Sequence, residues 1–273
     1  MNNLLGTNMW EEIVNVFTEL GVSRGVAIAY LVVCALLVVM AIVALIMWIR
    51  VCIVYYKTNN IKTVSGKTSF QVAREVLDSY GLNHIKVERA SFIRAWIFGN
   101  CYSITKKTVF LRSSIADKNS ITAIGVALQK AGIARLCEEG NTTAKVRNKM
   151  QILSVFGPML FLPIIIIGAL VDFLVFKTLG TFSMVSVAIS ILIVASGFIV
   201  TLLNLPVERK ACNMALEMLY ESHVLNEDEI EEVKRVFKAY ILAYVCDFIV
   251  AVLRIAQIVL EIVMNNQISA NRE

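Results

Sequence analysis

Residues 25–48 form an uninterrupted apolar stretch, which limits the possible fold more than any other feature of the chain. It runs from Gly25 to Trp48 without a charged side chain. A helix rises about 1.5 Å per residue, so a stretch of this length crosses a hydrocarbon layer of about 30 Å. Other backbone structures would leave N–H and C=O groups unpaired in lipid. The sequence therefore predicts a membrane-spanning helix over 25–49.

Three later stretches have the same character, and they are predicted to span the membrane over 152–176, 182–204 and 237–264. The mean hydropathy of +0.70 and the hydrophobic content of 58% lie far above those of soluble proteins. The first stretch lacks the basic start, short apolar core and cleavage site of a signal peptide, so we expect an anchor that is kept. The predicted fold class is an α-helical membrane protein with about four transmembrane helices.

The ends of the chain are predicted to lie at the membrane surface. Residues 1–24 contain apolar side chains at helical spacing together with acidic ones, which predicts an outer amphipathic segment. Residues 265–273 form a short tail. The apolar positions of the amphipathic segment are Trp10, Ile13, Val16, Phe17 and Leu20.

Lysine and arginine are distributed unevenly between the segments that separate the predicted spans. Residues 50–150 contain 17 of them and residues 205–238 contain five, whereas the opposite side has only Arg24, Lys177 and Arg272. Positively charged loops stay in the cytoplasm. We therefore expect both large loops to be cytoplasmic and both termini to be outside. No nucleic-acid-binding motif accompanies the basic residues, so membrane lipid is the expected partner of this charge.

Residues 58–150 are the part of the chain able to form a small α+β domain. Thr68 and Gln71 have the spacing of a capping box, and Asn119 or Ser120 is the predicted cap of a later helix. The predicted elements are a helix over 68–80, a strand over 85–90, a hairpin of 101–105 with 109–112, and a helix from 121 to just before Gly140.

Three segments resemble the membrane-embedded neutral zinc metallopeptidases of bacteria, the YugP-like proteins. They read GKTSFQVAREVLDSYGLNHIKVER over 66–89, ITAIGVA over 121–127 and TLLNLPVERKACNMALEML over 201–219. The resemblance covers nearly the full chain. It implies that the cytoplasmic domain over 58–150 is zincin-like and that the protein lies in a bacterial plasma membrane.

The zinc-binding helix of that family differs here at each essential position. Family members carry His-Glu-x-x-His, in which two imidazoles bind Zn²⁺ and the glutamate activates water. The matching positions are Gln129, Lys130 and Ile133, and the two histidines of the chain, His84 and His223, lie elsewhere. Gln is a weak zinc ligand, Ile is none, and Lys is a cation where a base is required. The plainer interpretation is a packed helix with Gln and Lys at its polar edge.

Glu208 matches the third zinc ligand of the family, in the Pro-Val-Glu that follows the third span. Alternatively, Pro206 starts a helix within a cytoplasmic helical loop over 205–236, and Glu208 is a carboxylate favoured by that helix's dipole. A substitute metal site formed by Cys101, Cys137, Cys212 and Glu208 is a further possibility, although scattered thiols are usually small buried hydrophobes.

The fourth span contains a charged stripe of Asp247, Arg254 and Glu261, spaced seven residues apart. Neighbours in this stripe are about 10.5 Å apart on a helix, too far to pair directly. We expect their partners to come from another span or from a second polypeptide, which makes the stripe a predicted interface. Ionisable groups in a span can also mark a transport path.

These features together predict a catalytically inactive homologue of a membrane zinc metallopeptidase, without a cofactor. It would serve as a binding, scaffolding or regulatory subunit of a membrane complex. The expected partners are an active peptidase paralogue, a second copy of the chain, or a peptide in the altered cleft. The alternatives are an active peptidase that uses zinc at a non-standard site, and a transport role of the stripe.

Overall fold

The structure is a computed structural model that describes residues 4–177 and 180–271. Its helices and strands, in chain order, are α1 (Leu4–Glu19), α2 (Arg24–Asn59), α3 (Ser69–Ser79), β1 (Lys86–Arg89), α4 (Phe92–Phe98), β2 (Cys101–Ser103), β3 (Thr108–Leu111), α5 (Ser113–Ala116), α6 (Ile121–Glu138), α7 (Thr142–Val171) with a π-helical turn (Asp172–Phe176), α8 (Thr181–Ser222) and α9 (Glu227–Ala270). The chain divides into two compact units, residues 47–245 and the two flanking segments together.

Four helices of the described residues are long and apolar enough to cross a membrane, which confirms the predicted number. They are α2, the Met159–Phe176 part of α7 with its π-helical turn, α8 and α9.

One expectation is wrong, because Pro206 does not start a new helix and lies inside the continuous α8. A proline removes one backbone hydrogen bond, and the turns on both sides of Pro206 remain helical in this helix of 42 residues.

The smaller elements of the 47–245 unit build a three-stranded sheet of order β1-β3-β2. The predicted hairpin is confirmed, since β2 pairs antiparallel with β3 and places Tyr102 opposite Val109. β1 pairs parallel with β3. Helix α4, between β1 and β2, was not predicted, because its seven residues are apolar apart from Arg94 and Ser91 makes no side-chain capping bond.

Helix α6 is the central element of this unit. It begins at Ser120, whose hydroxyl accepts a hydrogen bond from the Ala123 N–H at 3.3 Å, as predicted. The predicted capping box of α3 is formed by Thr68 and Gln71. Nearly all side chains of α6 are buried, between α3 and the sheet on one side and α8 and α9 on the other. A helix buried on all sides places even its polar residues in the interior.

The flanking unit combines α1, the start of α2 and the end of α9. Val14, Val22, Ala27 and Met264 are packed together. The Gln267 side chain accepts a hydrogen bond from the Ser23 N–H at 2.9 Å. The outermost residues of the predicted amphipathic segment and of the tail, 1–3 and 272–273, lie outside the described part of the chain.

Candidate functional site

Helices α6 and α8 approach each other closely at Gly132. A Cβ atom at this position would lie 2.2 Å from the carbonyl oxygen of Ala211, so only glycine fits. Three residues earlier on each helix stand Gln129 and Glu208. The close approach therefore places the predicted metal-ligand positions of the two helices side by side.

The carboxylate of Glu208 is completely buried, and its two oxygens have different partners. The Gln129 Nε2 atom donates to Oε2 at 2.8 Å, and Arg147 Nη2 donates to Oε1 at 2.5 Å. The Lys130 Nζ atom lies 3.7 Å from the same Oε1. Arg147 also donates from Nε to Asn204 Oδ1 at 2.7 Å. One carboxylate is thus surrounded by one amide and two cations.

Burial makes this pairing necessary. An ionised carboxylate without a partner would cost several kcal/mol in the interior, so Glu208 needs cationic neighbours. Arg147 is 7% exposed and satisfies two oxygens with one guanidinium group. Lys130 is slightly more exposed, so its ammonium group reaches the edge of the cluster. Positive charge is supplied here by protein side chains.

The donor set of this cluster does not fit a zinc ion. A catalytic zinc site requires three protein ligands, and the cluster offers one carboxylate, whose oxygens are both engaged, and one amide. The Cys212 sulfur lies 3.9 Å from Gln129 Nε2, and it is the one soft ligand atom among the contacts that the structure gives for this amide. The two cations at Oε1 would also repel a divalent ion.

The substitute metal site is not assembled. Within residues 4–177 and 180–271, no group of three His, Cys, Asp or Glu side chains is placed to bind a metal ion. Burial raises the pKa of the Cys101 thiol above its usual value and that of Cys137 to about 11. Both thiols are therefore protonated at neutral pH in the metal-free protein.

The remaining candidate residues lie away from the cluster. Ile133 is buried in the hydrophobic core. His84 Nε2 lies 3.1 Å from Glu138 Oε2, and His223 ends α8 in a left-handed conformation. Burial acts to raise the pKa of Glu138, but hydrogen bonds with His84 and Lys107 outweigh it, and the pKa lies below its usual range. Neither histidine can replace the missing imidazoles.

Two residues of the cluster were missed by sequence reasoning. The sequence patterns single out neither Arg147 nor Asn204 as part of a site. Asn204 precedes Glu208 by four residues, so both lie on one face of α8, and this spacing was the available signal. Glu208 itself lies in the middle of α8. The explanation as an N-terminal helix carboxylate is therefore wrong.

The charged stripe of α9 has a partner that the sequence did not suggest. Gln257 accepts from Arg254 Nη1 at 3.0 Å and donates to Glu261 Oε1 at 3.0 Å, so it links two members of the stripe. Tyr30 of α2 donates to the same Glu261 oxygen at 3.1 Å. Tyr30 therefore gives Glu261 a partner on another span, whereas the described partner of Arg254 lies on α9 itself, and a partner on a second polypeptide stays a prediction. Asp247 is exposed and makes no side-chain hydrogen bond or salt bridge within the described residues.

Asp172 is the carboxylate within the predicted span 152–176, and it does not serve as a partner of Arg254. Its Oδ2 atom accepts from the backbone N–H groups of Gly180 and Ser183 at 2.8 and 2.7 Å, and from the Ser183 hydroxyl at 2.6 Å. Asp172 therefore stabilises the beginning of α8.

Comparison with known proteins relates the chain to peptidases. The family described as "Putative neutral zinc metallopeptidase" matches residues 33–263. The chain is also 25% identical, over 210 residues, to the "Putative membrane protease YugP" of Bacillus subtilis (strain 168). That match covers 76% of this chain and 85% of the relative. No solved structure matches the chain significantly.

Proposed function

The chain belongs to the neutral zinc metallopeptidase family, and from this premise we propose that it is a catalytically inactive member. It acts as a binding, scaffolding or regulatory subunit of a membrane complex. One observation carries the proposal. Glu208, at the third-ligand position, is bound on Oε2 by Gln129 and on Oε1 by Arg147, with Lys130 beside it.

Each catalytic role of the family motif lacks a suitable side chain here. Gln129 stands where an imidazole ligand is expected, and its amide nitrogen donates a hydrogen bond to Glu208. Lys130 stands where the general base is expected, and an ammonium group cannot accept a proton from water. Ile133 has no donor atom. Protein cations thus supply the positive charge that a metal ion would supply, without its ability to activate water.

Two surfaces support a binding role. Asp247 and Arg254 are exposed on a helix apolar enough to span a membrane, and charges in that position favour a protein neighbour over lipid. The outer edge of β2 is unpaired within the described residues, and a cavity of about 240 Å³ lies beside it. An extended peptide can pair with such an edge.

We expect the purified protein to contain far less than equimolar zinc, because three ligands are needed and the cluster supplies one. The measurement is the metal content of protein purified without chelator. The family's active members supply the positive control. Equimolar zinc in this protein would contradict the proposal.

Restoring the motif provides a stronger test. Replacing Gln129, Lys130 and Ile133 by His, Glu and His should restore little zinc binding while Arg147 still occupies the Glu208 carboxylate. Adding Arg147→Gln should free that carboxylate and raise the zinc content further. Arg147→Gln alone is the matched control and should bind none. Equal zinc binding with and without Arg147 would show that this arginine does not take the place of the metal.

A further inference from the structure

Helix α4 carries three highly exposed large apolar side chains close together in the small domain. Phe92 is 86% exposed, Ile93 is 70% exposed and Trp96 is 72% exposed. These three residues lie on one side of the helix, because Trp96 is four positions after Phe92 and three after Ile93. We call them the α4 apolar face. Contiguous apolar surface of this kind marks a binding surface.

The opposite side of α4 contacts the sheet through half-buried side chains. Phe98 packs with Cys101 and Phe110 in a small apolar cluster. The Arg94 guanidinium lies 4.0 Å from the centre of the Phe110 ring. Arg112 donates from Nε to the carbonyl oxygen of Ala95 at 2.9 Å. These contacts fix α4 on the sheet with its apolar face directed outward.

The position of α4 relative to α7 identifies what covers this face. Arg94 and Phe98 line one cavity together with Lys149 and Ile152 of α7. Lys149 is the last charged residue of α7 before Asp172, and the apolar run that enters the bilayer follows it. Helix α4 thus lies beside the last charged turn of α7, from which the apolar run of that helix continues.

The side chains around this turn of α7 match a lipid surface. Tryptophan prefers the boundary between headgroups and acyl chains, because its ring is apolar and its N–H is polar. Arg112 contacts α4 at Ala95 and Lys149 lines the cavity shared with α4, and neither forms a salt bridge within the described residues. Cations without a counter-charge beside an apolar face are typical of helices that lie in the membrane interface.

We propose that α4 is an in-plane membrane helix, whose apolar face inserts into the leaflet that α7 enters beside Lys149. The small domain then rests on the bilayer at two points, the α7 span and the α4 apolar face. The cavity beside β2 opens next to the membrane surface in this arrangement. Any peptide bound there would approach along the bilayer.

The test uses Trp96 as the only tryptophan of the full-length protein, in a Trp10→Phe, Trp48→Phe background reconstituted into liposomes. Lipids with brominated acyl chains should quench its fluorescence, and aqueous acrylamide should quench it weakly. Serine at both Phe92 and Ile93 should shift the emission to longer wavelength and reduce the lipid quenching.

The matched control moves the tryptophan to Val64, which is 85% exposed. The Val64 N–H donates to Glu229 in the charged first turn of α9, at 2.6 Å. Acrylamide should quench this tryptophan strongly and brominated lipid should not. Equal behaviour of the two tryptophans would overturn the proposal. Protection of Trp96 from acrylamide without lipid quenching would also overturn it, because a second protein chain would then cover α4.

Discussion

Glu208 and Arg147 form a buried ion pair whose stability depends on both partners. Taking two charges out of water is costly, and the mutual attraction offsets this cost only when both are present and hydrogen-bonded. Gln129 and Asn204 satisfy the remaining sites of the pair. Gln129 and Lys130 of α6 are therefore compatible with their buried positions, because both interact with the Glu208 carboxylate of α8.

The Glu208→Leu variant should be destabilised by about 3–5 kcal/mol, since it leaves Arg147 and Lys130 charged and without their partner in the interior. The matched control is Glu217→Gln, which removes the exposed ion pair with Arg135 and should cost about 1 kcal/mol or less. Thermal unfolding of both variants in one detergent measures the difference. A Glu208 variant as stable as the control would mean that the cluster is open to water.

At the scale of elements, the packing of α6 against α8 explains which features the sequence could predict. The capping box of α3, the Ser120 cap of α6, the hairpin and the four spans are local patterns, and the sequence predicts them. The pairing of Arg147 with Glu208 joins residues 61 positions apart and has no local signal. Helix α4 was missed because an apolar segment of seven residues has no periodicity that separates a core helix from a surface one. The contact of Gly132 with Ala211 also joins two helices that are distant in sequence, so no local pattern predicts it.

Replacing Gly132 by alanine should destabilise the protein by roughly 1–3 kcal/mol, because its Cβ would lie 2.2 Å from the Ala211 carbonyl oxygen. Gly125→Ala on the same helix is the matched control. Its Cβ would meet Val233 and Val236 at 3.7 Å, an ordinary contact, and the higher helix propensity of alanine should leave stability unchanged or slightly improved. Unfolding temperatures in detergent compare the two. Equal effects would contradict the close approach of α6 and α8.

At the scale of the whole molecule, the basic residues predict an orientation that labelling can test. We expect single cysteines at Asn141 and Asn226 to be protected in intact cells from a membrane-impermeant thiol reagent. Single cysteines at Asn3 and Asn271 should react, because the positively charged loops stay in the cytoplasm. Permeabilised cells, in which all four positions are reached, supply the control. The reverse pattern would place the small domain outside the cell.

The stripe of α9 leads to the last prediction, which concerns assembly. Asp247 is exposed within a span and has no side-chain partner in the described chain, whereas Arg254 and Glu261 are linked through Gln257. A charge that faces lipid at the bilayer centre costs about 2.5–3.5 kcal/mol on insertion scales, so a second polypeptide is the expected neighbour. Asp247→Leu and Arg254→Leu should therefore weaken assembly in mild detergent, measured by the mass of the complex, while each isolated chain stays folded. Gln267→Leu, near the end of the same helix and outside the predicted span, should leave assembly intact and is the control. Unchanged assembly in both stripe variants, together with water accessibility of a cysteine at position 247, would favour the transport role instead.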